Sequence, residues 1–192
     1  MTFGRQLTIG DDIGETGFDY TYGVSPDLIT DEGKSVVRYD YKGIDGLQLS
    51  ANYNFAEVRD EDSEVVTGKT KNGYGAGALY TYNVAEGQTA ALEAGYTRDN
   101  YATGTNQRHY KDAWEVGTSY TINNLKLALD GSQAYDKNRA TNTEVRTSDI
   151  AVGAKYKFDK VGVYGVYDYQ HVKVKGDDDK TRSHKFLLGT DY

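Results

Sequence analysis

From residue 34 onward apolar and polar residues alternate with a period of two, the pattern of strands whose two faces meet different surroundings. Leu47, Leu49, Ala51, Tyr53 and Phe55 interleave with Gln48, Ser50, Asn52 and Asn54. Trp114, Val116, Thr118 and Tyr120 interleave with Glu115, Gly117 and Ser119, and Ile150, Val152, Ala154, Tyr156 and Phe158 with Ala151, Gly153, Lys155 and Lys157. The alternation predicts strands at 2–9, 34–42, 47–58, 72–82, 88–98, 110–122, 125–136, 147–158, 161–173 and 182–192, about ten in all. Most are longer than the roughly five to six residues of a globular strand and match the roughly 9–11 residues of a tilted strand crossing a bilayer.

The connections carry a second signal. Tight turns are expected at residues 43–46, 83–87, 123–124 and 159–160. Long polar loops are expected near 59–71, 99–109, 137–146 and 174–181, with a longer one at 10–33, so that short and long alternate throughout. Membrane barrels keep that order, because the turns at one end are short and the loops at the other long. The aromatic residues sort the same way. Tyr41, Tyr82, Tyr120 and Phe158 fall near the short-turn end, and Phe55, Tyr74, Tyr96, Tyr135 and Tyr169 near the other. Rings at two levels suit the two lipid–water boundaries, where a phenol buries its body and keeps its hydroxyl wet. Between those levels the apolar face carries no Lys, Arg, Asp or Glu. The fold class expected is all-β, a transmembrane antiparallel up-and-down β-barrel.

The opposite face is polar. Gln48, Asn52, Glu93, Glu115, Lys126, Asp130, Lys155 and Lys157 share it and are expected to line a wet interior. A soluble barrel of this size fills its interior with apolar side chains or an apolar ligand. Composition adds exclusions. With no cysteine there are no disulfides, thiolate metal sites or Cys nucleophiles. A net charge of −7 without a basic patch argues against nucleic-acid binding. No apolar run reaches the ~18 residues of a membrane helix, and residues 1–6 lack an export-signal pattern. No cofactor or metal site is expected, and Asp177, Asp178 and Asp179 lack the spacing of a calcium loop.

Residues 10–33 differ from the other connections. They carry Asp11, Asp12, Glu15, Asp19, Asp27, Asp31 and Glu32 without Lys or Arg, together with Phe18, Tyr20, Tyr22 and the sole proline, Pro26. Aromatics in a loop this long point to packing against the rest of the fold. Gly4-Arg5-Gln6, the acidic aromatic loop, Ser35-Val36-Val37-Arg38-Tyr39-Asp40 and Gly46-Leu47-Gln48-Leu49-Ser50-Ala51-Asn52-Tyr53 together resemble the general diffusion porins of Gram-negative bacteria, most of all the major porins of the Pasteurellaceae. The likeness is strongest over residues 1–60 and continues as pattern through all 192.

The resemblance implies one porin domain over 1–192, with 10–33 folded inward as a constriction loop. It implies a basic wall of Arg5 and Arg38 opposed to Asp11, Asp12, Glu15 and Asp19 on the loop. It further implies outer-membrane localisation, contact with outer-membrane lipid and lipopolysaccharide, homotrimers in the full-length family, and small hydrophilic solutes in transit rather than catalysis. Family members have about sixteen strands, so the likeness places this chain as an internal stretch spanning about the fifth to the fourteenth. On the phase that turns Arg5 inward, Phe3, Leu7 and Ile9 share its face.

Two other classes fit parts of the pattern. A surface protease of the omptin type would need a histidine paired with carboxylates at the loop rim, and His109, His171 and His184 are the candidates. No Gly-x-Ser-x-Gly, His-Glu-x-x-His or phosphate-binding loop is present. An adhesin is compatible with the long loops, whereas a soluble ligand-binding barrel is opposed by the polar interior.

Overall fold

The computed structural model describes residues 1–13, 28–58, 69–102, 108–176 and 180–192. Strands dominate it: β1 (Thr2–Leu7), β2 (Glu32–Ile44), β3 (Leu47–Asn54), the two-residue β4 (Glu57–Val58), β5 (Lys69–Ala85), β6 (Gln88–Tyr101), β7 (His109–Ile122), β8 (Leu125–Asn138), β9 (Thr143–Phe158), β10 (Val161–Val174) and β11 (Lys180–Asp191). One helical turn, α1 (Ile9–Asp12), follows β1. The sheet runs β1-β2-β3-β5-β6-β7-β8-β9-β10-β11, each strand antiparallel to the last, with β4 paired to β5. Sequential neighbours pair throughout, which is an up-and-down meander. β1 and β11 are its two edges.

Residue content explains the regularity. Tyr, Val, Thr, Ile and Leu fill one side of each pleat and small or polar residues the other, so a register slip of one residue would exchange the two faces. Four turns at one end are two residues long: Asp45 and Gly46, Glu86 and Gly87, Asn123 and Asn124, Asp159 and Lys160. Each needs a left-handed residue, supplied by Gly46, Gly87, Asn123 and Asp159. Glycine, Asn and Asp tolerate that conformation best.

Two expectations need correction. Strands extend further toward the loop end than the hydrophobic alternation suggests, through Tyr101 on β6 and from Thr143 on β9. The connection expected at 137–146 shrinks to residues 139–142, so short and long connections do not alternate without exception. Polar residues such as Asn138, Thr143 and Glu144 stay in the ladder because its hydrogen bonds are made by the backbone. Nothing in a hydropathy pattern registers them.

Burial is inverted relative to a water-soluble domain. Tyr53, Leu92, Trp114, Val116, Leu127, Leu129, Ile150 and Val152 are exposed, while Asn54, Glu93, Asp99, Glu115, Asp130, Asp149 and Asp168 are buried. A flat sheet would expose both faces alike. This one therefore curls with its polar face inside, and its apolar face needs a lipid environment to lower the free energy of that much exposed hydrocarbon. Rings sit at both ends of that outer face: Tyr80 stacks on Tyr82 with centroids 5.3 Å apart, and Tyr156 lies 4.6 Å from Phe158. At the loop end Tyr53 meets Phe55 at 5.0 Å and Tyr74 meets Tyr96 at 6.3 Å. Trp114 pairs directly with Tyr96 across the ladder and joins that level.

Candidate functional site: a charged clamp and groove on the inner face

The site begins where the chain leaves β1 and turns onto the inner face. Thr8 caps α1, its hydroxyl accepting from the Gly10 amide at 3.1 Å and donating to the Thr30 carbonyl. The Thr8 amide donates to the Asp31 carbonyl at 2.6 Å. The two ends of the inserted segment, residues 8–13 and 28–31, are thus tied together. Both are tied to the wall as well. The Ile9 amide donates to Asn52 Oδ1 at 3.4 Å, the Thr30 amide to the Thr97 hydroxyl at 3.2 Å, and the Thr30 hydroxyl to Asp99.

The wall beneath is cut to fit. Gly75, Gly77 and Gly95 sit abreast of Asn52, Ser50 and Thr97 on β3, β5 and β6. A methyl group on Gly77 would lie 2.6 Å from Ile13 Cδ1 and 2.7 Å from Ile9 Cγ1, and one on Gly95 2.3 Å from Ile13 Cδ1. Only glycine permits that approach. Ile9, Ile13, Ile29, Ala113 and Ala134 form the one buried apolar cluster among the described residues, with Leu28 and Leu79 packed against it. Hydrophobic burial at this spot fixes the segment in an otherwise polar interior.

That seating delivers Asp12 to Arg38. The guanidinium forms an ion pair with Asp12, donates from Nε to Asp40 Oδ1 at 2.8 Å, and from Nη1 to the Thr8 carbonyl at 2.7 Å. Gln48 Nε2 donates to the same Asp12 carboxylate at 2.9 Å, and the Ser50 hydroxyl donates to Asp40. A planar fork with several fixed donors suits two carboxylates at once, which a lysine would not. The expected opposition of Arg38 to a loop acid therefore takes the form of direct contact. Between these two groups there is no open gap.

The gap lies on the other side of Asp12. A groove of roughly 330 Å³ runs from Asp12 and Leu79 to Thr81, Thr89, Glu93, Ser119, Thr121 and Lys126. Hydroxyls and charges of both signs line it, a surface that holds water and solvates polar solutes. Beyond it two adjacent cross-strand rows continue the inner face: Glu93–Gly117–Asp130–Ala151–Asp168–Lys185 and Gly95–Glu115–Ser132–Asp149–Gln170–Ser183. Gly117 makes room for the Asp130 and Glu93 carboxylates on either side of it. Lys185 Nζ reaches Asp168 at 3.2 Å, and Gln170 donates to Asp149 at 3.0 Å.

The residues singled out in the sequence are distributed as follows. Arg38, Asp12 and Gln48 are brought together. Asp11 lies in the same helical turn, half-buried. Arg5 is not brought there: it shares the phase of Phe3 and Leu7 on edge strand β1, is exposed, and makes no ion pair with Asp12. The inner phase of β1 belongs to Thr2, Gly4 and Gln6, since Thr2 pairs with Arg38 and Gly4 with Val36. Glu15 and Asp19 lie outside the described residues. Asn52, Glu93, Glu115 and Asp130 are buried on the inner face, with Asn52 anchoring the segment by accepting from Ile9. Lys126 lines the groove, Lys155 pairs with Asp191, and Lys157 is exposed near the short turns.

Sequence reasoning missed Asp40, although it stands two residues from Arg38 and so on the same face. It also missed Thr8, Asp99, Asp149 and Asp168. Among the candidate histidines, His109 Nε2 lies 3.0 Å from Asp136 Oδ1 at the loop end of the inner face.

Curled, antiparallel, apolar outside and polar inside, the sheet defines an outer-membrane β-barrel wall. Solved structures agree on the fold: OmpT of Vibrio cholerae expressed in the outer membrane superposes with a TM-score of 0.72 at 22% identity, covering 99% of this chain and 60% of that one. Its loop L8 deletion mutant gives 0.71 at 22%, over 98% and 63%. The family model for Gram-negative porins matches residues 1–192, and the chain belongs to that family. It is 29% identical over 194 residues to a major outer membrane protein of Pasteurella multocida and 27% identical over 207 residues to that of strain Pm70. These alignments take in all of this chain but 52% and 56% of those proteins, so the chain spans about half the length of the curated relatives it matches. It is an outer-membrane protein.

Proposed function

We propose that this chain supplies wall and constriction to a water-filled channel for passive diffusion of ions and small hydrophilic solutes. The observation that carries the reading is the inverted burial: carboxylates, amides and hydroxyls are enclosed while large apolar side chains face out. In this reading residues 1–192 form one porin domain and residues 10–33 narrow it, with the loop end facing the cell exterior. The Arg38–Asp12–Asp40 clamp fixes the narrowing segment, and the groove beside Asp12 is the passage. Charged and hydroxylated walls replace part of the hydration of a polar solute but give an apolar one nothing, so the passage favours the former. One neighbouring structure is that of a Vibrio cholerae OmpT trimer, which supports a trimer as the working assembly here as well. The reading involves no catalysis. Among the described residues the His109–Asp136 pair is the feature that fits a surface protease, and hydrolysis of outer-membrane substrate peptides lost on His109→Ala would replace the channel reading with that one.

The test is single-channel current through planar bilayers containing the refolded chain. Discrete conductance steps that grow when Arg38→Ala and Asp12→Ala release the narrowing segment are expected. Folded β-structure with no steps would remove the channel role from this chain.

A further inference from the structure

The groove beside Asp12 is charged differently at its two ends. Asp12 and Glu93 stand at one end and Lys126 at the other. Each end is reinforced by a neighbour on the same face: Asp130 lies across Gly117 from Glu93, and Lys155 pairs directly with Lys126. Lys155 is drawn to Asp191, which leaves Lys126 as the cation that lines the groove. At the acidic end Arg38 and Gln48 both bond Oδ2 of Asp12, which leaves Oδ1 of this partly exposed carboxylate for the groove. Hydroxyls of Thr89, Ser119 and Thr121 lie between the ends, each able to donate and to accept. Glu93 pairs with Gly117 and Lys126 with Thr121, four residues further along β7. The two charged levels are thus about 13 Å apart along the strand, a gap that the side chains shorten from both ends.

A lone ion satisfies one end of such a groove and is repelled by the other. A flat ring has nothing to stack on, since among the described residues no aromatic side chain lines the groove. A molecule with an ammonium at one end, a carboxylate at the other and amides between them meets every feature. An extended di- or tripeptide spans roughly 7–11 Å, and the groove, at roughly 330 Å³, falls at the lower end of the roughly 300–1,000 Å³ of small-molecule sites. We propose that the groove is a recognition site for short zwitterionic peptides, the ammonium toward Asp12 and Glu93 and the carboxylate toward Lys126. Both ends then form charge-assisted hydrogen bonds, and the bound molecule adds no net charge. The proposal rests on the groove being the passage, and it gives that passage a preferred solute.

Ala91 lines the groove between the two charged levels, so Ala91→Cys serves as the reporter. The full chain is refolded in lipid vesicles at neutral pH, and alkylation by iodoacetamide, an uncharged reagent, is followed by mass spectrometry. Diglycine is expected to slow the labelling about threefold. Glycinamide and N-acetylglycine, which lack one charge, and N-acetylglycinamide, which lacks both, should leave the rate nearly unchanged at the same concentration. Adding K126Q or E93Q to the reporter should abolish the effect of diglycine. K173Q, which removes a lysine from the outer face, should keep it. One labelling rate with all four compounds, or protection by diglycine that survives both K126Q and E93Q, would overturn the assignment and leave the wet passage standing. A reporter that never labels would remove the passage and the assignment with it.

Discussion

Two stretches of the same inner face follow one alternation and carry opposite contents. Where the inserted segment lies, the inward positions are Gly75, Gly77, Gly95, Ala113 and Ala134, and the contact is apolar and close. On the wall beyond the described ends of that segment, the inward positions are Glu93, Asp130, Asp149, Asp168 and Lys185, with Lys185 paired to Asp168 and Gln170 donating to Asp149. Period two fixes which way a side chain points. What it touches decides whether it is absent, apolar or charged. The floor beneath the ends of the segment holds geometry, and the wall beyond them holds charge.

The sharpest way to break that contrast is to add bulk to the floor. Gly95→Val is expected to cost about 1–3 kcal/mol of unfolding free energy, because the added carbons would overlap Ile13 Cδ1, which is buried in the apolar cluster. Gly131→Ala, where the nearest atom to an added methyl is 3.8 Å away, should be neutral. Urea unfolding of both variants in lipid vesicles, followed by far-ultraviolet dichroism, makes the comparison. Equal losses would mean that the floor is not fitted to the segment.

Next in size is the clamp. Arg38→Met leaves Asp12 and Asp40 facing each other without their cation, and about 1–3 kcal/mol should be lost. The double variant with Asp12→Asn should recover part of it, a non-additivity that a double-mutant cycle reads directly. The smallest effect is expected on the wall. Lys185 is partly exposed and Asp168 is buried, but glutamine keeps an N–H donor on the side of that carboxylate, so Lys185→Gln should cost about 1 kcal/mol. A loss there as large as at Arg38 would show that both regions are structural and erase the distinction.

Much of this was legible in the chain. Alternation gave the strands, the face each residue takes and the short turns at residues 123–124 and 159–160, because all of these follow from local backbone geometry. Arg38 and Asp12 were legible through the likeness of their surroundings to a family. The glycine floor was not: glycines two apart read as a polar inward face, and nothing local says that Ile9 and Ile13 will lie upon them. Asp40 was legible by spacing and passed over. Arg5 shows the opposite fault, since its Gly-Arg context suggested an inward role while its own phase put it with Phe3 and Leu7.

Wall, clamp and groove all require that the polar face be wet and the apolar face meet lipid. The chain has no cysteine, so single cysteines report without background. Thr89, Ala91, Thr121 and Lys126 line the groove, and Val116, Leu127, Leu129 and Val152 lie on the outer face. Each is replaced by cysteine in turn, and the protein in intact vesicles is exposed to a charged, membrane-impermeant thiol reagent. Labelling of the first four and protection of the second four is the predicted result. Uniform labelling of both sets, or protection of the groove set, would contradict it.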